Sequence, residues 1–375
     1  MSQINVRNLS NENDDGAPDI VGVSTFSATS YFVPPVGNTA QRPENPQPGD
    51  LRFNTDTASL EYFRGDTINW TQMVMTSPDL NGGARGLYAG GTTPSAATNR
   101  IGYLTIPTLG SAADFGDLTV ARYQLGGTAS RTRAVFNFGE VAGSPNWSNV
   151  IDYVTISSTG NALDFGDGLG QKMKASATGS ATRAIFQGGY VQNTVSYVAI
   201  PSTGNAIDFG DLTQNSERSS GLSSSTRAVR LGGRGPSSNY QDTIDYATIA
   251  TTGDYTDFGD ITTAAADGGA CSNSTRGIYF TGYTGSSSNV IEYITIATTG
   301  NASDFGDIAT ARAYSTAVSS PTRALNMGGF VIPATATNII DYIEIASTGN
   351  ASDWGDIDTG TSQSVGGASN AHGGL

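Results

Sequence analysis

Hydrophobic residues in this sequence occur in short runs that glycine, serine, threonine and asparagine interrupt. Residues 151–156 read Ile-Asp-Tyr-Val-Thr-Ile, and a run rich in β-branched and aromatic residues is typical of a β-strand. Residues 158–161, Ser-Thr-Gly-Asn, predict a hairpin turn in which glycine supplies a positive φ. Helical periodicity is hard to find, and the 48 glycines disfavour long helices. The pattern therefore predicts an all-β protein.

The same pattern of strands and turns recurs six times. Each copy carries a signature, Asp-Phe-Gly-Asp or Asp-Trp-Gly-Asp, which begins at Asp114, Asp164, Asp208, Asp257, Asp304 and Asp353. An arginine opens a strand in each copy, at Arg85, Arg133, Arg183, Arg227, Arg276 and Arg323. The signatures are 44 to 50 residues apart, and this period matches the blade of a β-propeller.

Two spacings within the repeat are constant and one is variable. In every copy, 11 residues separate the tyrosine of the Ile-x-Tyr strand (Val-Ser-Tyr in the third copy) from the signature. The second aspartate of the signature precedes the next arginine by 16 residues. Only the loop between the glycines and Ile-x-Tyr varies, from 5 to 11 residues. Constant spacing indicates strands held in register, and variable spacing indicates an exposed loop. We therefore predict a six-bladed β-propeller with four strands per blade, closed by a strand after about residue 357.

Two segments of different character precede the predicted propeller, which occupies residues 77–375. Residues 36–76 contain prolines followed by strand-and-turn patterns, and they predict a small β module. Residues 1–35 are polar at first and then contain apolar stretches. They predict an extended arm that docks on another subunit, with a disordered terminus as the alternative.

Composition narrows the function classes. The net charge of −14 and pI near 4.3 disfavour a nucleic-acid binder, and no apolar run approaches the 18 residues expected of a membrane span. Cys271 is the single cysteine, so we expect neither an intrachain disulfide nor a cysteine metal cluster. His372, at an arginine position of the repeat, is the single histidine, which disfavours Ser-His or Cys-His catalysis. We expect no catalytic residue, cofactor or metal site.

The repeated charged residues are interpreted as scaffold. They include Arg133, Arg183, Arg227, Asp117, Asp167 and Asp211. One aspartate of each signature is expected to cap a turn and the other to pair with a repeated arginine; Ca²⁺ binding by the two carboxylates is the open alternative. The acids outside the repeat pattern include Glu140, Glu217, Glu292 and Glu344. They form no recognisable site, although a glycosidase needs only two carboxylates.

The variable loops differ from one repeat to the next and carry the candidate binding residues. Trp147, Tyr240 and Tyr283 are predicted to be exposed aromatic side chains. Such side chains can stack on sugars or anchor a protein contact. The alternative is that they fold back onto the rim as ordinary loop residues.

Several segments of the chain resemble known families. The strand that ends in Gly-Gly once per repeat resembles the kelch β-propeller pattern, but it lacks the downstream tryptophan of kelch blades. Residues 151–162, 164–167 and 182–189 resemble repeats of virion and tail-fibre-type proteins of tailed phages, especially marine cyanophages. Residues 42–54 are similar to a short module near the N-terminus of such proteins.

The resemblance implies a structural virion component rather than an enzyme, located on a particle that is assembled in the host cytoplasm. Its place would be a tail fibre, a collar or a decoration of the capsid or tail. The N-terminal arm would bind other virion subunits, and the propeller would face a host-surface glycan or a neighbouring subunit. The alternative is a glycosidase-type enzyme that degrades host polysaccharide on a propeller scaffold.

Overall fold

The fold of this chain is all-β, as the sequence predicts. The computed structural model describes residues 34–57, 59–65, 67, 69–73, 84–92, 96–141, 146–332, 335–357 and 365–375, so most of the predicted arm lies outside the described residues. The chain divides into two compact units, Met1–Ser77 and Pro78–Leu375. The described parts contain two short 3-10 helices, Thr39–Gln41 and Pro236–Ser238, and no α-helix. Within them, no helix is long and apolar enough to cross a membrane.

The first unit contains one four-stranded sheet. Its strands, in spatial order, are β1 (Val36–Gly37), β2 (Leu51–Asn54), β3 (Ser59–Phe63) and β4 (Trp70–Gln72). One face of this sheet buries the Glu61 carboxylate, which accepts hydrogen bonds from Arg42 and Arg52. These bonds lower the pKa of Glu61, with the bond from Arg42 as the main cause. This buried and paired charge joins β3 to β2 and to the segment that precedes β2.

The described part of the second unit contains six sheets of four or more strands, numbered here in chain order, and one two-stranded hairpin. Sheet 1 consists of β5 (Arg85–Ala89), β6 (Arg100–Thr105), β7 (Ala113–Asp117) and β32 (Gly366–Ser369). Sheet 2 consists of β9 (Gly126–Ala129), β10 (Arg133–Asn137), β12 (Asn146–Thr155) and β13 (Leu163–Lys172), extended by β8 (Arg122–Tyr123) and β11 (Glu140–Val141). Sheet 3 consists of β14 (Ser176–Gly179), β15 (Arg183–Gln187), β16 (Gln192–Ala199) and β17 (Ile207–Ser216).

The remaining three sheets repeat the same order of strands. Sheet 4 consists of β18 (Ser220–Ser223), β19 (Arg227–Leu231), β20 (Thr243–Thr248) and β21 (Thr256–Asp260). Sheet 5 consists of β22 (Gly269–Ser272), β23 (Arg276–Phe280), β24 (Ser288–Thr295) and β25 (Ser303–Arg312). Sheet 6 consists of β26 (Thr316–Ser319), β27 (Arg323–Met327), β30 (Ile339–Glu344) and β31 (Ser352–Asp356), with β28 (Phe330–Val331) and β29 (Thr335–Ala336) as a separate hairpin.

Each sheet begins with a strand of small residues, which the sequence repeat places before the arginine. In sheet 1 that first strand is β32, which pairs antiparallel with β5, so the predicted closing strand after residue 357 is confirmed. The first strands contact one another in the cycle β9, β14, β18, β22, β26, β32 and back to β9. They enclose a space that we call the channel. The arrangement of antiparallel four-stranded sheets is consistent with a β-propeller-like fold.

The hydrophobic core lies in layers between neighbouring sheets. One cluster combines Leu87 and Phe115 of sheet 1 with Phe136 and Val154 of sheet 2, all of them buried. The Phe of the signature also meets the tyrosine of its own sheet edge to face, with Tyr103 and Phe115 ring centroids 5.8 Å apart. Because each layer needs the next sheet to cover it, the sheets depend on one another for burial of apolar surface.

The signature strand of each sheet is joined to a turn of the next sheet, and we call this contact the rim junction. Between sheets 2 and 3, the Gly204 amide donates to the Phe165 carbonyl (2.8 Å) and the Ala206 amide to the Asp167 carbonyl (2.7 Å). The Asp167 amide donates to the Asn205 side chain (3.0 Å). Equivalent backbone bonds occur at the other junctions, and the bond from Gly110 to Trp354 (3.2 Å) joins sheet 6 to sheet 1.

The rim junction explains why the signature contains glycine. At Gly166 the backbone has a φ of +145°, and a Cβ atom would lie 2.6 Å from the carbonyl carbon and oxygen of Gly204. Real Cβ atoms do not approach backbone atoms so closely, and L-residues rarely adopt this φ. The signature is therefore a docking sequence: its phenylalanine fills the core and its glycine admits the turn of the next sheet.

Each repeated arginine reinforces the rim junction. Its guanidinium lies over the tyrosine ring of its own sheet and donates to a carbonyl in the turn of the next. For Arg133 the ring is Tyr153 (4.9 Å) and the acceptor is Ile200 (3.1 Å). Arg183 and Arg227 make the same contacts, with Tyr197 and Ile249 and with Tyr246 and Ile296.

The expected pairing of the repeated arginines with signature aspartates is wrong for Asp117, Asp167 and Asp211. Their backbone amides, rather than their carboxylates, make the junction bonds, to the side chains of Asn161, Asn205 and Asp254. Asp167 and Asp211 are exposed and Asp117 is half-buried, so water can hydrate these carboxylates in place of an ion pair.

Candidate functional site

The aromatic residues predicted for ligand binding are half-buried and lie in two groups. The rings of Tyr240 and Tyr283 come from sheets 4 and 5 and meet edge to face, with centroids 5.5 Å apart. Trp147 of sheet 2 instead meets Tyr190 of sheet 3, at 3.9 Å. Loops of neighbouring sheets therefore contact each other in pairs, and Tyr240 and Tyr283 are the two predicted residues that come together.

The variable loops are bonded to the segments that lead into the first strands. The amide of Ala266 donates to the Tyr283 carbonyl (3.0 Å), and the Tyr283 amide donates to the Ala266 carbonyl (2.7 Å). Glu217 and Arg234 exchange the same pair of bonds, at 2.9 and 2.7 Å. The loops therefore surround one end of the channel, which we call the mouth.

Five residues with the same backbone conformation encircle the mouth. Each lies two residues before the start of a first strand, and each has a φ between +56° and +60° although it is not glycine. These mouth residues are Gln124, Lys174, Arg218, Asp267 and Tyr314. A positive φ is rare and unfavourable for residues with a side chain, so five equivalent cases indicate that the surrounding structure imposes it.

A row of backbone hydrogen bonds connects the five mouth residues in sequence order. The amides of Lys174, Arg218 and Asp267 each donate to the carbonyl of the preceding mouth residue, at 2.9 Å, and the Tyr314 amide donates to Asp267 at 2.7 Å. The backbone therefore carries the structural role at these five positions. Their side chains are free to differ, and all five do.

The charged side chains at the mouth form a balanced network. Arg218 Nη1 lies 2.9 Å from both carboxylate oxygens of Asp267, and Arg218 Nε lies 3.8 Å from Glu217. Lys174 Nζ lies 3.5 Å from Glu217. Burial raises the pKa of Asp267 to about 6 against the opposing effect of Arg218, and burial lowers the pKa of Lys174.

A pocket of about 120 Å³ opens between the mouth residues and is lined below them by glycine, alanine and serine of the first strands. Two buried polar atoms of its lining residues, Gln124 Oε1 and Arg218 Nε, have no hydrogen-bond partner among the described residues. Buried polar atoms are normally satisfied, but Gln124 Oε1 lacks a partner within the described part of the chain, whereas Arg218 Nε keeps an ion-pair contact of 3.8 Å with Glu217.

The aromatic residues lie next to this pocket. Burial and the neighbouring Tyr283 raise the pKa of Tyr240, and Asp267 and Arg218 also act on it. Burial raises the pKa of Tyr314, which Asp267 also influences. The Arg218 guanidinium lies over the Tyr314 ring at 5.6 Å. Tyr283, which contacts Tyr240, is bonded to Ala266 next to Asp267, so the three tyrosines adjoin the charged network.

Below the pocket, the channel narrows to a cavity of about 40 Å³. A Cβ atom on Gly127 would lie 2.7 Å from the Gly367 carbonyl, which shows how closely the first strands approach the axis. Four serine hydroxyls donate around this level to the carbonyl of the preceding sheet, at 2.6 to 2.7 Å: Ser223, Ser272, Ser319 and Ser369. Sheets 2 and 3 have Ala129 and Gly179 at this position, and they lack the hydroxyl.

His372 takes the place of one missing hydroxyl and closes this end of the channel. Its Nε2 lies 2.7 Å from the carbonyl of Ala129, and its Nδ1 accepts a bond from the Gly374 amide at 3.1 Å. The two bonds require a neutral ring with the proton on Nε2. Burial lowers the pKa of His372, which favours the same neutral form.

The acids outside the repeat pattern are not brought together. Glu344 is paired with Arg323 (2.7 Å), Glu140 lies opposite Tyr123, and Glu292 is buried and accepts from the amide and hydroxyl of Thr262. Burial raises the pKa of Glu292. Of the four acids, Glu217 alone lies at the mouth. Among the described residues, no group of three or more His, Cys, Asp or Glu side chains is arranged to hold a metal ion.

Sequence reasoning missed the mouth residues, although a signal for them exists. Each of the five follows the second aspartate of a signature by seven residues. A constant distance from the signature, combined with a different side chain in each repeat, is the signal that would have located them. The sixth equivalent, Gln363, lies outside the described residues.

Comparison with known proteins does not assign a function to this mouth. No protein-family model matches the sequence, and no curated protein matches it.

Proposed function

We propose that this chain is a non-enzymatic structural component of a tailed-phage virion, built around a six-bladed, kelch-like β-propeller. The residues that resemble virion and tail-fibre-type proteins of tailed phages extend over about 36–375. The cyclic contacts of the first strands and the rim junction between sheets 6 and 1 support the six-bladed ring. A tail fibre, a collar and a capsid or tail decoration all fit this description.

One observation carries the proposal of a displayed binding face. The repeated residues are engaged in rim junctions and in the core, whereas five positions with one backbone conformation carry five different side chains at the mouth. A recognition module needs residues that vary on one face and a constant framework elsewhere, because the binding residues can then change without disturbing the fold. We assign the mouth and its loops to contact with a host-surface glycan.

We assign the first unit, together with residues 1–35, to attachment on the particle. One face of its sheet presents Val36 and Leu51, which are 56% and 40% exposed, and half-buried Phe53, Leu60 and Tyr62. No apolar side chain on this face is buried among the described residues. An apolar face of this kind suits docking against another virion subunit.

Particle incorporation tests the attachment. Cells producing the phage would express tagged full-length protein, a version lacking residues 1–76, and the double variant Val36→Glu with Leu51→Glu. We expect both altered proteins to be absent from purified particles. The matched control is Leu163→Glu, which changes an exposed leucine (60%) in the second unit and should leave incorporation normal. Normal incorporation of the version without residues 1–76 would refute the attachment.

Binding of the purified protein to host cells tests the recognition role. Fluorescently labelled protein should bind intact host cells, and Tyr283→Ala should weaken the binding about tenfold, because an aromatic contact at a binding face is worth more than 1 kcal/mol. Binding to no host surface would favour a purely architectural role.

One observation favours the enzymatic alternative. Asp267 and Glu217 are both held by Arg218, and a carboxyl group with a pKa of about 6 suits a general acid in glycoside hydrolysis. Incubation with host polysaccharide, followed by assay of new reducing ends, decides between the two. We expect no turnover; turnover that Asp267→Asn abolishes would establish the glycosidase instead.

A further inference from the structure

We propose that the mouth pocket binds a single uncharged sugar residue at the end of a glycan chain. The inference deepens the proposed function and rests on its assignment of glycan contact to the mouth. It is carried by the charge balance, the unpartnered polar atoms, and the depth of the pocket.

The charge balance of the pocket selects an uncharged ligand. Lys174 and Arg218 contribute two positive charges, and Glu217 and Asp267 contribute two negative charges within 2.9 to 3.8 Å of them. An acidic sugar that approached either cation would lie beside a carboxylate that already pairs with it. Repulsion by that carboxylate, in a chain of net charge −14, would oppose its binding.

The unpartnered atoms call for a ligand that both donates and accepts. Gln124 Oε1 has no partner among the described residues and can only accept. Arg218 Nε has no hydrogen bond there beside its 3.8 Å ion-pair contact with Glu217 and can only donate. Asp267 Oδ1 and Oδ2 share one donor, Arg218 Nη1, and each retains a free lone pair. A sugar hydroxyl donates one hydrogen bond and accepts others, so neighbouring hydroxyls of one sugar ring can satisfy all three groups without adding charge.

The depth of the pocket favours binding of the terminal sugar of a glycan. The pocket holds about 120 Å³ and continues into a cavity of only about 40 Å³, which His372 helps to line. Sites for drug-sized ligands start at about 300 Å³, so the pocket accommodates one ring-sized group. A group bound here has no exit below it, and the rest of the glycan must leave past the loops.

The loop aromatics are placed for the next sugar along that exit. Tyr314 forms part of the pocket wall. The pair of Tyr240 and Tyr283 adjoins the pocket, since Tyr283 is bonded to Ala266 next to the lining residue Asp267. Tyrosine rings stack on the apolar face of sugars while their hydroxyls stay in contact with water. The inference therefore assigns the innermost sugar to polar contacts and the second sugar to this aromatic pair.

Ligand-observed NMR with defined glycosides tests the inference. The probes are the methyl glycosides of glucose, galactose and mannose, and the acidic methyl glycosides of glucuronic and galacturonic acid. We expect saturation transfer from the protein to at least one neutral glycoside, and weaker transfer to its acidic counterpart. Gln124→Met and Asp267→Asn should each weaken neutral binding about tenfold, since each removes a buried hydrogen-bonding partner. Gln171→Met, at an exposed glutamine outside the pocket, is the matched control.

Three outcomes would overturn the inference: no binding of any neutral glycoside at millimolar concentration, tighter binding of the acidic glycosides, or neutral binding unchanged in both pocket variants. The host-cell assay separates this failure from failure of the proposed function. If labelled protein binds host cells and Gln124→Met and Asp267→Asn bind them equally well, the mouth is not the site although glycan contact stands. If the protein binds no host surface, the recognition role fails as well. Circular dichroism confirms that each variant is folded.

Discussion

The rim junctions and the mouth show opposite relations between backbone and side chain. At the rim, the arginine, the tyrosine and the glycine of the signature recur in every sheet, and each makes the same kind of contact at its junction. At the mouth, the same φ recurs in five residues whose side chains differ in size and charge. Both regions are repeated structures, but only the rim is repeated in sequence.

The contrast between rim and mouth shows at which positions this fold tolerates different side chains. At Gly166 the side-chain position itself is occupied by the next sheet, so the identity of the residue is fixed. At Lys174 and Arg218 the backbone amide makes the structural bond, and the side chain forms ion pairs with Glu217 and Asp267 at the mouth instead of filling a position that the next sheet occupies. Positions of the second kind can acquire binding residues at little expense to stability.

The largest expected effect comes from breaking one rim junction. Gly166→Ala places a Cβ against the Gly204 carbonyl at a φ of +145°, so we expect the free energy of unfolding to fall by about 3 kcal/mol. The control is Gly170→Ala in the same strand, where φ is +78° and nothing lies within 4 Å of the new Cβ. It should lose only about 1 kcal/mol from the backbone conformation. Urea unfolding measures both, and equal losses would mean that the junction does not constrain position 166.

The second effect comes from removing one arginine of the rim. Arg183→Ala loses a hydrogen bond of 2.7 Å to Ile249 and the contact with the Tyr197 ring, and we expect a loss of about 2 kcal/mol. Arg183→Lys retains a cation over the ring but cannot reproduce the planar guanidinium, so it should recover part of the loss. If Arg183→Ala is as stable as the unaltered protein by urea unfolding, the arginines are not junction residues.

The rim was largely predictable from the sequence. Spacings of 11 and 16 residues indicated strands in fixed register, and the repeat of Arg183 and Gly166 indicated scaffold positions. The partner of each residue was not predictable, because the turn that docks on the signature belongs to the next repeat. Pairing Arg183 with a signature aspartate is a reasonable guess from charge alone, and the tyrosine ring and the backbone carbonyl take its place.

The mouth was not predictable by the same reasoning, since residues without a repeated identity look like loop. Tyr240 and Tyr283 stand out because aromatic residues in loops are conspicuous, whereas Arg218 and Asp267 do not. Their association depends on positive φ values and on bonds between sheets, which are properties of the closed ring. His372 illustrates the same limit: its spacing places it at an arginine position, but its contact is with Ala129 inside the channel.

A third prediction uses the single histidine to probe the closed end of the channel. Because the folded pKa of His372 is lowered, the folded state binds its proton less tightly than the unfolded chain does. Stability is therefore lost as pH falls below the ordinary histidine value of 6.5 and through the folded pKa. Protonation also removes the bond from Gly374 to Nδ1, so we expect a loss of about 1 kcal/mol.

Nuclear magnetic resonance of the labelled imidazole reports this directly, since no other histidine is present. The neutral ring should carry its proton on Nε2 and titrate below 6.5. His372→Gln retains a donor for the Ala129 carbonyl and removes the titration, so its stability between pH 7 and pH 5 should lack this loss. A ring that titrates at or above 6.5 would show that His372 is not held in the channel.

The smallest expected effect comes from the mouth and has the opposite sign to the rim effects. The difference between the ordinary aspartate pKa of 3.8 and about 6 at Asp267 corresponds to about 3 kcal/mol. A raised pKa means that the folded protein loses stability as pH rises from 3.8 to about 6. Asp267→Asn removes that loss but also takes a charged partner from Arg218, so we expect a net gain of about 1 kcal/mol at pH 7.

Urea unfolding at pH 7 and pH 3.5 tests the sign of this effect. The gain in stability from Asp267→Asn should be present at pH 7 and absent at pH 3.5. At pH 3.5 the side chain at this position is uncharged in the folded state of both proteins. The same variant should bind neutral glycosides less well, so one substitution would raise stability and lower affinity. If Asp267→Asn instead loses as much stability at pH 7 as Arg183→Ala, Asp267 has a structural role like that of the rim residues. The distinction between rim and mouth would then fail.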